Sequence, residues 1–237
     1  MIKVISFKIC PFVQRITAIL EAKELAYEIE YISLSDKPDW FKAISPTGQV
    51  PVLISESGVA LFESDAIAEY LDDIAAPLES EVTPEQRALD RAWSYQATKH
   101  YLVQCSTLRS ADKGTLLERS GKLGKAFAKA ELQLANVEQG AFFKGKHVSN
   151  VDMAWLPLLH RADIIRCRTG FDLLEGFPKV QAWQQALMAT GLAEKSVATD
   201  FEQKFSDFYL SDETYLGAGQ DCCGTSSDDV LKAGSCC

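Results

Sequence analysis

The chain changes its hydrophobic rhythm once, near Ala76. Before that point, short apolar runs alternate with helical spacings. "IKVISF" has the length of a buried strand, and Phe12, Val13, Ile16, Ile19 and Leu20 then recur at helical spacing. "YEIEYI" places Tyr27, Ile29 and Tyr31 on one side of a strand, "PDWFKAI" reads as a turn of helix, and "VPVLI" as another strand. A turn over residues 55–58 leads into "VALF", and Ala66, Ile67, Tyr70, Leu71 and Ile74 mark a closing helix. The predicted order is strand, helix, strand, short helix, strand, strand, helix.

Residues 77–83 read as a linker ending in a helix start, with Thr83 as N-cap, Pro84 at the first helical position and Gln86 completing a capping box. Only helical spacing follows. One helix is predicted over residues 84–108, another over 115–138 despite Gly121 and Gly124, and a third begins at Ser149. There Ser149 and Asp152 have capping-box spacing, Val148 and Met153 are placed as a hydrophobic staple, and Pro157 predicts a kink. "FPKVQAWQQALMA" is a further helix ended by Gly191, and Phe201, Phe205 and Phe208 form an apolar stripe on a last one. The pattern divides the chain into an α/β unit over residues 1–76, an all-α unit over 84–216, and a Cys/Gly/Ser-rich, flexible tail over 217–237.

At 47% hydrophobic, the 237 residues suffice for two modest cores. No run of about 18 apolar residues occurs, and the start lacks the form of a signal peptide, so a soluble cytoplasmic protein is expected. A formal net charge of -9 argues against nucleic acid as a partner. Cys10, Cys105 and Cys167 lie in the body, while Cys222, Cys223, Cys236 and Cys237 crowd the tail. In a cytosolic chain these are thiols. The tail pairs lack CxxC spacing, a polybasic stretch that would support lipidation is missing, and the body shows no metal constellation, so no metal is expected.

Cys10 follows a strand directly and precedes Pro11, which puts it at the N-cap of the first helix. Free amide hydrogens and the positive helix end would face its sulfur and lower its pKa from about 8.5 to roughly 3.5–7.5. The same residue is also read as a small buried core thiol. In "GQVPVL" the bond from Val50 to Pro51 is either an ordinary strand-initial trans link or cis. A cis bond would leave the Val50 amide and carbonyl free to pair with an extended peptide. In "FESDAIAEYL" the strand ends at Glu63 and a helix opens at Ser64, whose hydroxyl and following amides make a small anion site or a plain N-cap.

In this order and spacing, "CPFVQR", "DKPDWFKAISPTGQVPVL" and "FESDAIAEYLDD" resemble the glutathione transferase family, nearest to its cysteine-containing omega class. The resemblance implies a thioredoxin-like glutathione-binding domain beside an all-helical domain, assembled as a homodimer. It makes Cys10 the catalytic thiol and Phe12 a packing residue beside glutathione. It pairs Lys37 with the glycyl carboxylate, Val50 with the cysteinyl backbone ahead of a cis Pro51, and Glu63 and Ser64 with the γ-glutamyl end. With Val13 where a resolving cysteine would stand, it implies monothiol exchange on mixed disulfides or dehydroascorbate-like substrates, with glutathione as co-substrate and resolving thiol.

The alternatives are conjugation or reductive dehalogenation of an organic electrophile, and a membrane-associated role like that of the chloride intracellular channel proteins, which share a similar Cys-Pro-Phe start. Stable membrane association is not expected. The second-substrate pocket is expected between Cys10 and the first helix of the all-α unit, with Tyr101, Gln104 and Arg109 as wall residues. Trp93, Tyr95 and His100 are further candidates there; Trp93 and Trp155 read better as core.

Overall fold

Strand β1 (Ile2–Ser6) is the spine of the first layer, and its alternation decides what packs on either side. In the computed structural model, which describes residues 1–79 and 82–218, the sheet order is β2 (Tyr27–Tyr31), β1, β3 (Val52–Ile54), β4 (Ala60–Phe62). β1 is parallel to β2, with Val4 opposite Ile29, and antiparallel to β3, with Val4 opposite Leu53. Neighbouring residues of a strand face opposite sides. Val4 and Leu53 therefore join Ile16 and Ile19 of α1 (Pro11–Ala22) and Ile67 and Leu71 of α3 (Ser64–Ile74) in the main core. Ile5 and Val52 meet Phe41 of α2 (Asp39–Ile44) on the other face. A central strand covered on both faces needs apolar residues on both, as Val4 and Ile5 provide. The layer is thioredoxin-like.

The other described elements are helices: α4 (Pro84–Leu108), α5 (Lys113–Leu134), α6 (Asn150–Thr169), α7 (Pro178–Ala189), α8 (Leu192–Lys195) and α9 (Phe201–Tyr209). Several differ locally from the sequence reading. Thr83 caps α4, its Oγ1 accepting from the Gln86 amide at 3.2 Å, but the Gln86 side chain bonds Asp90 instead of reaching back, so the box is half formed. α5 starts earlier because Asp112 is its cap, accepting from the Thr115 amide at 2.8 Å, and it ends at Leu134. α8 is a separate turn that begins after Gly191, whose φ of +72° suits a residue without Cβ. On α9 the buried stripe is Phe201, Phe205 and Tyr209, while Phe208 is 42% exposed under the Arg109 guanidinium. The four tail cysteines lie outside the described residues.

α6 is buried nearly all round its N-terminal two-thirds and forms the centre of the helical layer, running on through Pro157. Its start is held by the expected capping box. Fully buried Asp152 accepts from the amide and hydroxyl of Ser149 at 2.8 and 2.6 Å, the Phe143 amide at 2.9 Å and the Trp183 indole at 2.7 Å. Burial raises its pKa, and these donors oppose the shift.

α1 lies between the sheet and the helical layer, so the polar residues it buries must find partners on the helical layer or on α3. Gln14 meets His160 at 2.8 Å and Arg161, Arg15 pairs with Asp65, and the Thr17 hydroxyl donates to the Ser196 carbonyl at 2.6 Å. Burial, with the Arg161 charge adding, pushes the His160 imidazole down to about 3, so it is neutral at physiological pH.

Asp152→Ala is expected to destabilise the protein by about 3 kcal/mol or more, since it strands several buried donors. Urea unfolding of variant and wild type checks this; a loss under about 1 kcal/mol would contradict it. His160 should also make the fold acid-sensitive. Its folded pKa of about 3 lies below the ordinary 6.5, so its contribution is present above pH 6.5 and disappears as pH falls towards 3. Unfolding free energies measured across that window should fall more steeply in wild type than in His160→Gln.

Candidate functional site

The strand register brings three distant segments to one end of the sheet. Ile5 pairs with Val52, and Val52 pairs with Phe62. The end of β1, the start of β3 and the end of β4 are therefore neighbours. Leaving that edge are Cys10 ahead of α1, Val50 and Pro51 ahead of β3, and Glu63 and Ser64 at the head of α3.

Cys10 is the N-cap of α1, with extended backbone at φ -76° and ψ 122° and Pro11 at the first helical position. A turn in which the Cys10 amide donates to the Phe7 carbonyl at 3.0 Å sets it there. The Val13 and Phe12 amides favour a negative sulfur, although neither makes a completed capping bond. The electrostatic outcome differs from the expectation of a depressed thiol pKa. Burial outweighs the amides and the Arg161 charge and pushes the Cys10 thiol up to about 11. Helix-end partial charges act over one turn, whereas desolvation acts on the whole anion.

The peptide bond between Val50 and Pro51 is cis. Glu63 has φ +67°, uncommon for a residue with a side chain, and serves as the cap of α3; Ser64 is the buried first helical residue, one place later than its expected capping position. Lys37 is half-buried, its ammonium 4.0 Å from where a Cβ on Gly48 would stand, beside the loop that leads to Val50. Phe12 packs edge-on against Tyr101, ring centroids 5.0 Å apart.

Two of the three expected wall residues lie elsewhere. Tyr101 is fully buried with its hydroxyl donating to the Ala154 carbonyl, and Gln104 donates to the Leu158 carbonyl at 2.9 Å, so both join α4 to α6. Arg109 lines an open cleft of about 400 Å³ with Leu102, Cys105, Arg119, Phe208 and Tyr209, a lining that does not include Cys10. A second cleft, of about 360 Å³, lies between the turn before Cys10 and α9, lined by Phe7, Ile9, Tyr31, Lys204 and Phe208 among others. Phe208 borders both. Trp155 is fully buried, as expected, half-buried Trp93 packs against the core ring of Phe143, and His100 bonds the Gln96 carbonyl on its own helix. A further crevice, between α3 and α4, is lined by the Arg91–Glu69 ion pair and other charges and stands apart from Cys10.

The sequence reading missed Gln14, His160 and Arg161. The signal was present: "HR" interrupts the apolar stretch of α6, and a polar pair buried in such a helix needs partners. Among the described residues, no three His, Cys, Asp or Glu side chains are grouped to hold a metal ion, and no helix is long and apolar enough to cross a membrane.

Residues 9–74 match the family described as "Glutathione S-transferase, N-terminal domain" and residues 79–190 "Glutathione S-transferase, C-terminal domain". The chain is 29% identical over 215 residues to glutathione S-transferase omega-1 of Rattus norvegicus, covering 89% of this chain and 87% of the relative. It is 31% identical over 183 residues to the probable cytosolic glutathione S-transferase DHAR1 of Oryza sativa subsp. japonica, covering 76% and 80%. Among solved structures, the trimeric glutathione transferase TDR1 of Leishmania is similar at TM-score 0.70 and 27% identity over 87% of this chain; the match spans about half of that longer chain, 48%.

The raised thiol sets a pH dependence. Alkylation of Cys10 by iodoacetamide in the protein alone should rise about tenfold per pH unit between roughly pH 7 and 9, because the thiolate fraction is still climbing there. Peptide-resolved mass spectrometry gives the rate, and a plateau below pH 8 would contradict the pKa direction.

Proposed function

This chain belongs to the glutathione S-transferase family, and we propose that it catalyses glutathione-dependent thiol–disulfide exchange through Cys10. The observation that carries the reading is the chemistry of the α1 cap: a cysteine, with a valine three residues on where a dithiol site would have its second cysteine. A thiol is a poor hydrogen-bond donor and a good nucleophile, which favours exchange.

In the proposed cycle the Cys10 thiolate attacks the glutathione sulfur of a mixed disulfide, and the substrate leaves as a thiolate that takes up a proton. A second glutathione thiolate then attacks the Cys10 mixed disulfide, releasing oxidised glutathione and restoring Cys10. The net reaction consumes one glutathione and one mixed disulfide. Lys37 takes the glycyl carboxylate, and the Val50 backbone ahead of Pro51 pairs with the cysteinyl residue. Glu63 takes the γ-glutamyl amine, and the Ser64 hydroxyl with the first amides of α3 takes its carboxylate. Phe12 packs beside the tripeptide. The convergence of these segments on one sheet end supports the assignment, since a tripeptide with two carboxylates and one amine needs a cation, an anion, a helix N-terminus and a backbone edge. Small mixed disulfides and dehydroascorbate-like compounds are the proposed substrates, a homodimer the assembly, and the cytoplasm the location.

The high thiol pKa favours a second reading, in which protonated Cys10 donates to a bound glutathione thiolate that conjugates an electrophile. Cys10→Ser separates the two. It is expected to abolish exchange with a glutathionylated peptide and to keep or gain conjugation of an aromatic halide; exchange that survives would refute the first reading. Lys37→Met should raise the glutathione KM roughly tenfold with kcat little changed, as befits one lost charge-assisted contact.

A further inference from the structure

Arg161 is fully buried where α6 meets the head of α1, and every acceptor it reaches is neutral. Its Nη2 donates to the Ile9 carbonyl at 3.2 Å, and its Nη1 donates to the Pro157 carbonyl at 3.0 Å and to Gln14 Oε1. Its Nε is buried without a partner, and the guanidinium lies 5.3 Å from the centre of the Phe201 ring. Burying a guanidinium without an anion is costly, and a family of neutral acceptors recovers only part of that cost.

The ionisable groups whose charge it would feel are, strongest first, Cys105 on α4, Tyr209 on α9, the Cys10 thiol at the head of α1 and Tyr101 on α4. Burial pushes both phenols upwards, and the Tyr101 proton is already given to the Ala154 carbonyl. His160, beside it on α6, is held neutral and bonded to Gln14, so it brings no second positive charge. Of the two thiols, Cys10 is the one whose flanks Arg161 grips, through Ile9 on one side and Gln14 in the first turn of α1 on the other.

We propose that Arg161 is the positioning residue of Cys10: a buried guanidinium left without a carboxylate, held by its bonds to Ile9 and Gln14 so that its charge favours the Cys10 sulfur as an anion. A carboxylate in its place of contact would neutralise it permanently. Neutral acceptors fix its direction and leave its field available to the thiolate, a preorganised charge that needs no rearrangement when the proton departs. It deepens the proposed exchange function and rests on it for its use; the electrostatic link itself does not.

The test is the pH profile of Cys10 alkylation by iodoacetamide, read on the Cys10 peptide of the full-length protein, for wild type, Arg161→Met, Arg161→Gln and Arg161→Lys. Circular dichroism identifies the folded variants, and two neutral replacements guard against one failing to fold. Both neutral variants are expected to alkylate about tenfold more slowly at a given pH, a shift of roughly one unit to higher pH, whereas Lys restores most of the rate. A folded neutral variant with the wild-type profile would overturn the proposal, as would Lys and Met losing reactivity equally, which would indicate packing alone. Because the readout is Cys10 itself, the result stands whether or not Cys10→Ser retains exchange.

Discussion

Everything in this protein is arranged around a helix that is packed on two sides. α1 buries Val13, Ile16 and Ile19 with the sheet core and also Gln14, Arg15 and Thr17, which a one-sided surface helix would leave in water. Burial of those polar groups is tolerable only because the helical layer and α3 answer each of them: His160 and Arg161 for Gln14, Asp65 for Arg15, the Ser196 carbonyl for Thr17. The joint between the layers is thus a set of specific polar pairings inside an apolar surround. Such pairings tolerate only one register, and they hold the N-terminus of α1, with Cys10 on it, in one place.

The consequence for chemistry is a balance. The same packing that positions Cys10 takes it partly out of water and disfavours the anion that exchange needs. Against this stand two amides at the helix end and one buried guanidinium. A thiol kept mostly protonated while idle is protected from indiscriminate oxidation, since the thiolate is the reactive species. Ionisation is then coupled to whatever changes the surroundings of the sulfur.

Much of the fold was legible because its signals are local. A short, mostly apolar run, the helical recurrence of Ile16 and Ile19, the Thr83-Pro84 start and the Ser149–Asp152 box each involve neighbours within a few residues, and all appear as elements. Misreadings occurred where two local signals competed: Asp112 capped α5 ahead of Thr115, and the spacing Phe201, Phe205, Tyr209 displaced Phe208 from the buried stripe. Tyr101 and Gln104 were placed on a cleft wall because nothing nearby in the chain announces that α6 covers them.

The amino-acid sequence by itself determined the layering, the cap that Cys10 occupies and the family to which the chain belongs, because strand period, helix capping and motif order are short-range properties. Tertiary structure tipped the protonation of the thiol against the local amides of Phe12 and Val13. Desolvation and the fields of Arg161 and Cys105 depend on groups about 95 to 150 residues distant from Cys10 in the chain, and electrostatics at such a site is a sum over spatial neighbours that no local pattern encodes.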